Sequence, residues 1–299
     1  MKVEEASINL SLNRGFRWHH LFRDGVEVWA KGYAFHESRF HDSEYLAELL
    51  ARVLKEQVGR IQGVKESRSP VSGAGILAPS IPGFLPSLVR QLNGSFAIVV
   101  RAGNEVFAAV DRLRSIPLFY GTHDGKLLLS DDAFWVREQS GDATIDPVSE
   151  GEFLRTSYVF GRNTLSPSVR QLQPGECLFA RPEGIEVKFY YLHTHGNYLS
   201  LSESEYFDQL DVVFRNVFQR LIDSVRGRTI VVPLSGGYDS RYIAAMLKNL
   251  GYEKVICYTY GRPTSYEVAT SRRVAETLGY PWHYVEYNWA KWQEYFRSE

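Results

Sequence analysis

The chain has 299 residues, of which 44% are hydrophobic and 23% charged, and its formal net charge is −1. This charge balance excludes a general electrostatic attraction to nucleic acid or to anionic lipid, and the length suggests two globular domains. No run approaches about 18 consecutive apolar residues and the start is polar and acidic, so we expect neither a membrane span nor a secretory leader.

The two cysteines, Cys177 and Cys257, are far apart in the sequence and neither has a neighbouring cysteine. A disulfide framework or a zinc site is therefore not expected, and a reducing cytoplasm fits this usage. His193 and His195 would share one face of a strand. Two histidines alone do not make a metal site, and we predict none there.

Residues 1–195 predict an α+β domain of layered antiparallel sheets with one covering helix. The first strand-like run is Val26–Ala34. A helix follows that Asp42 caps, and its apolar positions have helical spacing. Glycine, proline and serine are frequent over residues 59–87, which predicts a loop there.

Two hairpins are predicted next. Ser95–Arg101 and Glu105–Asp111 flank a Gly103-Asn104 turn, and Leu118–Tyr120 and Leu127–Ser130 flank His123-Asp124-Gly125. Asp-Gly favours the positive φ angles that a tight hairpin turn needs. Consecutive hairpins favour antiparallel sheets.

The polar segment 196–204 predicts a linker, and a second domain is expected over residues 205–299. Ser202 and Glu205 have the spacing of a capping box at the start of a helix. Short apolar runs then alternate with helical patterns, which predicts a parallel sheet with helices on its faces. The predicted elements are a doubly buried strand at 229–234, a helix that stops at Gly251, a strand at 255–260, a helix from Thr264 to Leu278 ended by Gly279, and a strand at 283–287.

The loop Ser235-Gly236-Gly237-Tyr238-Asp239-Ser240 joins a strand to a helix in this second domain. Ligands bind at the carboxyl ends of such strands, glycines let backbone N–H groups approach an anion, and the helix adds its positive end. Asp239 would repel a bare anion, so it is expected to hold Mg²⁺ or to cap the loop. A glycine-rich turn with no ligand is the alternative.

The run TIVVPLSGGYDS at 229–240 resembles the pyrophosphatase loop, SGGxDS, of the asparagine synthetase and related ATP-pyrophosphatase families. The resemblance implies an enzyme that activates a carboxylate as its AMP ester for attack by ammonia or an amine. It implies ATP contacts from Leu234, Ser235, Gly236, Gly237, Asp239, Ser240 and Tyr260, the last through its backbone beside adenine, with Mg²⁺ held through ATP by Asp239. Glu267 also follows the family spacing, although a capping box with Thr264 would explain it without a ligand.

Segments of the first domain resemble the Ntn-type glutaminase half of the same family, notably its LNGxFA strand and its DRxGxxPLYY segment. The matching residues are Leu92–Ala97, Asp111-Arg112, Ile116–Tyr120 and Leu172–Gly175. The glutaminase nucleophile is a cysteine at the mature N-terminus, whereas residue 2 here is Lys2 and Cys177 falls in a core-like run. The glutamine-gripping segments have no counterpart nearer than Lys31-Gly32-Tyr33, so we predict a domain without glutaminase activity.

The expected function is thus an ATP-dependent, AMP-forming amide ligase acting on a small-molecule carboxylate, with no nucleic-acid or membrane partner. A catalytically silent ATP-binding or scaffold protein is the alternative, and a sulfur- or RNA-modifying ATP pyrophosphatase is a third possibility. Three strands are few for a nucleotide-binding sheet, and Trp289, Trp292 and Phe296 have nothing later in the chain to pack against. We therefore expect an incomplete second domain, completed by a further C-terminal segment or by a partner such as a second copy.

Overall fold

A computed structural model describes residues 8–12, 17–66, 81–196 and 198–297, with side chains left out for 57–66. The chain divides into two compact units, Met1–His195 and Gly196–Glu299. Each unit has its own buried core. None of the helices in the described ranges is long and apolar enough to cross a membrane.

Unit 1 is an α+β fold of two sheets. Its elements are β1 (Ile8–Ser11), β2 (His19–Arg23), β3 (Val26–His36), β4 (Arg39–Asp42), α1 (Ser43–Glu66), α2 (Leu85–Gln91), β5 (Asn93–Ala102), β6 (Glu105–Val110), β7 (Phe119–His123), β8 (Lys126–Ser130), α3 (Ala133–Ser140), α4 (Pro147–Thr156), β9 (Arg170–Gln171), β10 (Glu176–Arg181) and β11 (Gly184–Phe189). The larger sheet is antiparallel with the order β11-β10-β6-β5-β3-β2, and β4 pairs with β3. The smaller sheet has the order β1-β8-β7-β9, in which β1 and β8 are parallel.

Alternate residues of β5 enter two different cores, as the period of a strand requires. Ile98 and Val100 pack with α1 and α2, whereas Ala97 and Val99 pack with residues of the smaller sheet such as Leu129. Helix α3 covers the other side of the smaller sheet. The layers therefore run helices, large sheet, small sheet, helix. The predicted layered sheets are confirmed, whereas the single covering helix is wrong, because both outer faces of the sheets are apolar and each is covered by helix.

The loop predicted at 59–87 is wrong at both of its ends. Helix α1 continues to Glu66, because Gly59 and Gly63 weaken a helix by about 1 kcal/mol each without stopping it. Helix α2 begins at Leu85 and accepts Pro86 in its first turn, where proline loses no helical hydrogen bond. Residues 67–80 of the predicted loop lie outside the described residues.

The predicted turns and the first cap are confirmed. The N–H of Tyr45 donates to the Asp42 carboxylate at 3.1 Å. Strands β5 and β6 pair with Ala102 opposite Glu105, and β7 and β8 pair with His123 opposite Lys126. At the second turn Asp124 and Gly125 have φ angles of 51° and 73°.

Unit 2 is a parallel α/β fold. Its elements are α5 (Glu203–Val225), β12 (Ile230–Pro233), α6 (Tyr238–Asn249), β13 (Val255–Gly261), α7 (Tyr266–Leu278), β14 (Trp282–Glu286) and α8 (Trp289–Arg297). The three strands pair in parallel in the order β12-β13-β14. The capping box of Ser202 and Glu205 is present, and Gly251 and Gly279 end their helices at φ angles of 74° and 71°. The strand–helix alternation predicted for this unit is therefore confirmed.

Strand β12 is not the doubly buried strand that its apolar run predicted. Within the described chain it pairs with β13 alone, and Val231 is 56% exposed. The N–H groups of Ile230 and Leu234 donate toward β13, so alternation turns the backbone nitrogens of Val231 and Pro233 outward. Proline lacks an N–H, and an outward position at an edge is where a strand tolerates it.

The cap predicted for α7 is also corrected. Its N-cap is Ser265, whose hydroxyl accepts from the N–H of Glu267 at 3.2 Å. Glu267 thus stands two residues after the cap, and the box with Thr264 does not form. Both residues are suitable caps by type, and Ser265, whose backbone is extended, takes the role.

The turn that leaves β6 in unit 1 depends on Asp111, which is 1% exposed. Its carboxylate accepts from the backbone N–H groups of Phe96 at 3.1 Å, Leu113 at 2.8 Å and Ser115 at 2.9 Å. A carboxylate offers acceptors to all three donors, whereas an amide would turn an NH₂ group toward some of them.

Asp111→Asn should therefore lower the free energy of unfolding of unit 1 by about 2–3 kcal/mol. Denaturant unfolding followed by tryptophan fluorescence measures the change. Asp124→Asn is the matched control, since this side chain is 81% exposed and asparagine accepts the left-handed backbone of Asp124. Equal stability of the two variants would contradict the role assigned to Asp111.

Candidate nucleotide site

The loop Ser235–Ser240 follows β12 and leads into α6, at the carboxyl end of the parallel strands. Leu234, which is 1% exposed, anchors its start: its N–H donates to the carbonyl of Tyr258 at 2.8 Å. The carbonyl of Leu234 accepts from the hydroxyl of Thr259. Both partners belong to β13, so the loop leaves the sheet from a fixed point.

The two serines of the loop bond to each other. The Oγ atoms of Ser235 and Ser240 are 2.9 Å apart, the N–H of Ser235 donates to Ser240 Oγ at 3.0 Å, and the N–H of Gly237 donates to Ser235 Oγ at 3.1 Å. One hydroxyl hydrogen is used between the two oxygens, which leaves the other for a ligand. The serines were predicted as ligand donors, and their first task here is to hold the loop in shape.

The start of α6 has no side-chain cap. Gly237 occupies the N-cap position, and its residue type supplies no side chain to accept from the first-turn N–H groups. Asp239 lies in the first turn and is exposed, and its carboxylate forms no hydrogen bond or ion pair within the described chain. Asp239 is therefore not the cap that one of the two predicted roles required, and its carboxylate is available at the positive end of the helix.

Arg241 was not among the predicted site residues. Its guanidinium donates to the carbonyls of Gly236 at 2.9 Å and Gly237 at 3.0 Å and lies 4.4 Å from the centre of the Tyr238 ring. These bonds occupy the carbonyl side of the loop. The sequence offered one signal, namely that Arg241 stands four residues after Gly237 and so faces it one helical turn away.

Glu267 approaches the loop from α7. A Cβ atom placed on Gly236 would lie 3.2 Å from both Cα and Cγ of Glu267. We predicted that an anion approaches this glycine closely, and the structure adds a second reason for a glycine here, since α7 packs directly against it. The family spacing of Glu267 thus corresponds to a position beside the loop.

Tyr260 lies at the end of β13 and is 51% exposed. Its ring stacks on Tyr287 with 5.0 Å between centroids, and Tyr287 contacts Trp292 of α8 at 5.8 Å. Strand β13 ends at Gly261, whose φ of 150° favours glycine. The strand end predicted to lie beside adenine is therefore an aromatic surface.

The described ranges contain no group of three or more His, Cys, Asp or Glu side chains arranged to hold a metal ion. The rings of His193 and His195 are 5.6 Å apart. A magnesium role for Asp239 would therefore rest on a single carboxylate together with ligand phosphates, which is a common way for Mg²⁺ to be bound.

Two residues of unit 1 bear on the prediction that it lacks a glutaminase site: Cys177, which was predicted to lie in the core, and Lys31, which belongs to the segment nearest to the glutamine-gripping pattern. Cys177 is fully buried in β10, and burial raises the pKa of its thiol to about 11. Lys31 Nζ forms a buried ion pair with Asp131 at 2.9 Å, and the indole N–H of Trp18 donates to the same carboxylate at 2.8 Å. Neither side chain is presented to solvent.

The sequence matches two protein families in succession. Residues 77–191 match the glutamine amidotransferase domain, and residues 216–297 match asparagine synthase. A glutamine amidotransferase-type domain followed by an asparagine synthase domain defines a class of carbon–nitrogen ligases, and the second domain implies the use of ATP. This succession of two domains matches an asparagine synthetase-like family.

A comparison with curated proteins gives no match. Two solved structures are similar: glutamine phosphoribosylpyrophosphate amidotransferase from B. subtilis complexed with ADP and GMP, and an allosteric regulatory enzyme of purine biosynthesis. Each is 12% identical to this chain. The match to the first spans 93% of this chain and 52% of that protein, with a TM-score of 0.27. The match to the second spans 87% of this chain and 45% of that protein, with a TM-score of 0.28. The chain thus spans about half the length of these proteins, and TM-scores this low do not establish a shared overall arrangement.

Gly236→Ala should destabilise unit 2 by about 1 kcal/mol, because the new methyl group pushes against Glu267 and moves the start of α7. Denaturant unfolding measures this change. Gly196→Ala is the control, since nothing lies within 4 Å of a Cβ there. Removing a glycine also restricts the unfolded chain, and the control reports that gain. A Gly236→Ala protein as stable as the control would refute the close packing of α7 on the loop.

Proposed function

We propose that unit 2 binds ATP at the loop Ser235–Ser240 and that the protein is an AMP-forming carbon–nitrogen ligase without glutaminase activity. The observation that carries this proposal is the uncapped start of α6 at the carboxyl end of β12. Its first-turn N–H groups, with no side chain to accept from them, suit an anionic phosphate group.

The residues of the loop and of the neighbouring strand have different proposed roles in binding ATP. Ser235, Ser240 and Arg241 fix the backbone of the loop, so that its remaining donors are arranged before the nucleotide arrives. The end of β13 at Tyr260 offers a surface for the base. Asp239 is placed to draw Mg²⁺ toward the phosphates. Bound ATP would supply the AMP group that activates a small-molecule carboxylate for attack by ammonia or an amine.

The burial of both cysteines supports the absence of glutaminase chemistry. A cysteine nucleophile needs an accessible thiolate, whereas Cys177 and Cys257 are buried and burial raises the pKa of each thiol. Lys31 belongs to the segment nearest to the glutamine-gripping pattern, and its ammonium is engaged by Asp131. The nitrogen is therefore proposed to come from ammonia or from an amine of the substrate, in a cytoplasmic setting.

A catalytically silent ATP-binding protein is the second candidate. It is favoured by Arg241, the basic residue beside the loop, whose guanidinium bonds to the loop's own carbonyls instead of projecting toward a leaving pyrophosphate. ATP–pyrophosphate exchange with a panel of carboxylates separates the two. Exchange that depends on an added carboxylate supports the ligase, and ATP binding without exchange supports the silent protein.

Asp239→Ala should weaken the binding of Mg·ATP by about tenfold and leave metal-free ATP binding unchanged or slightly tighter, since a repelling carboxylate is removed. Calorimetric titrations with and without Mg²⁺ measure both constants. Glu276→Ala is a control that removes an exposed carboxylate elsewhere on unit 2. An equal loss in both titrations would remove Asp239 from the metal role.

The purified protein should release no glutamate from glutamine above a heat-treated control. Iodoacetamide at about pH 8 should modify neither cysteine in the folded protein and both in urea, because the pKa values of the buried thiols are raised. Mass spectrometry counts the modified thiols. Glutamate release that a thiol reagent abolishes would overturn the proposed loss of glutaminase activity.

A further inference from the structure

Unit 1 contains a cavity that the proposed function does not use. Its volume is about 550 Å³, within the range of small-molecule sites. Its apolar wall is largely aromatic, formed by Phe119, Phe134, Phe153 and Tyr158. The charged side chains in its lining are two arginines, Arg114 and Arg137, and none of the described residues that line it is Asp or Glu.

The polar side chains that line the cavity differ in whether the protein itself supplies their hydrogen-bond partners. Arg137 donates to the carbonyls of Asp142 and Ala143. The amide of Gln171 donates to the carbonyls of Gly161 and Asn163, and that of Gln173 donates to Gly161. These groups are already bonded to the protein and stiffen the wall of the cavity.

Arg114 is the exception among the charged and amide side chains of this lining. Its Nε atom is buried without a hydrogen-bond partner in the described chain, and its guanidinium lies 5.5 Å from the centre of the Phe119 ring. Burial lowers the pKa of this side chain, and none of its described neighbours is an acidic group paired with it.

The backbone of Arg114 is also unusual. Its φ of 56° is left-handed, a conformation that disfavours an arginine and suits a glycine. The DRxGxxPLYY pattern that this segment resembles has its glycine at the same position. Asp111 enforces the conformation, since its carboxylate accepts from the N–H groups on both sides, those of Leu113 and Ser115. Strain held in this way by its surroundings marks candidate functional positions.

We propose that this cavity binds a small monocarboxylate that carries an aromatic or branched apolar group, with the carboxylate on the Arg114 guanidinium. Two parallel N–H donors of an arginine match the two oxygens of a carboxylate. A guanidinium that has no hydrogen bond within the described chain, set among aromatic walls, suits one negative charge and an apolar body, whereas a phosphate dianion would need further donors. The site lies within unit 1 and does not rest on ATP binding by unit 2.

Phenylacetate is the probe, with its neutral amide, phenylacetamide, as the matched ligand. Calorimetry or ligand-observed NMR on the full chain should show phenylacetate binding at least about tenfold more tightly than phenylacetamide. Arg114→Gly removes the guanidinium and relieves the left-handed strain, so it should fold normally. It should weaken phenylacetate by at least about tenfold and leave phenylacetamide unchanged.

Arg226→Gly is the control, because Arg226 also has a left-handed backbone, with a φ of 49°, and lies at the end of α5 in unit 2. It should bind phenylacetate as the parent protein does. The proposal is overturned if the parent protein does not bind phenylacetate, or if Arg114→Gly binds it equally well. Inorganic phosphate binding as tightly as phenylacetate would overturn the assignment to a carboxylate.

Discussion

The buried carboxylate of Asp111 is the constraint on which the architecture of unit 1 depends. It holds the N–H of Phe96 in β5 and those of Leu113 and Ser115 in the turn after β6. The main-chain carbonyl of the same residue accepts from Gly175, just before β10. Asp111 thus links β5 and β6 of the large sheet to Gly175, which lies in the segment between β9 of the small sheet and β10 of the large sheet. A buried carboxylate is tolerated there because its oxygens accept from three backbone N–H groups and from the hydroxyl of Ser115.

Side-chain hydrogen bonds also shape the loop of unit 2, but there they leave backbone donors without a partner from a side chain. Polar side chains in unit 1 complete the backbone hydrogen bonds of a turn, whereas those of Ser235, Ser240 and Arg241 satisfy the loop internally and leave the first turn of α6 without a cap. Glu267 of α7 packs against the loop at Gly236. These contacts hold the loop in a defined conformation, and such preorganisation reduces the entropy that binding of a ligand would have to overcome.

Periodicity and turn chemistry predicted most of the strands and helices, because alternation, capping boxes and glycine stops are local signals. The errors arose where tertiary context decides. A glycine count predicted a loop over residues that α1 continues through, and an apolar run predicted burial for β12, which lies at an edge of the described sheet. The loop sequence located the candidate site, but the partners of its side chains depend on α7 and on one helical turn of α6. Arg241 and Arg114 were not predicted as site residues from the sequence. The contact of Glu267 with Gly236 emerged from the structure, since spacing does not show which contact a long side chain makes.

Pro233 affects what can happen beside the loop. Outward-facing N–H groups along an edge strand are what an added strand from another chain would use to pair. The outward position nearest the loop is occupied by Pro233, which has no hydrogen to donate, and the preceding outward donor belongs to Val231. Strand addition at this edge would lose its hydrogen bond next to Leu234 and Ser235. Pro233 thus disfavours β-augmentation beside the loop, because it lacks the one hydrogen atom that an added strand would need there.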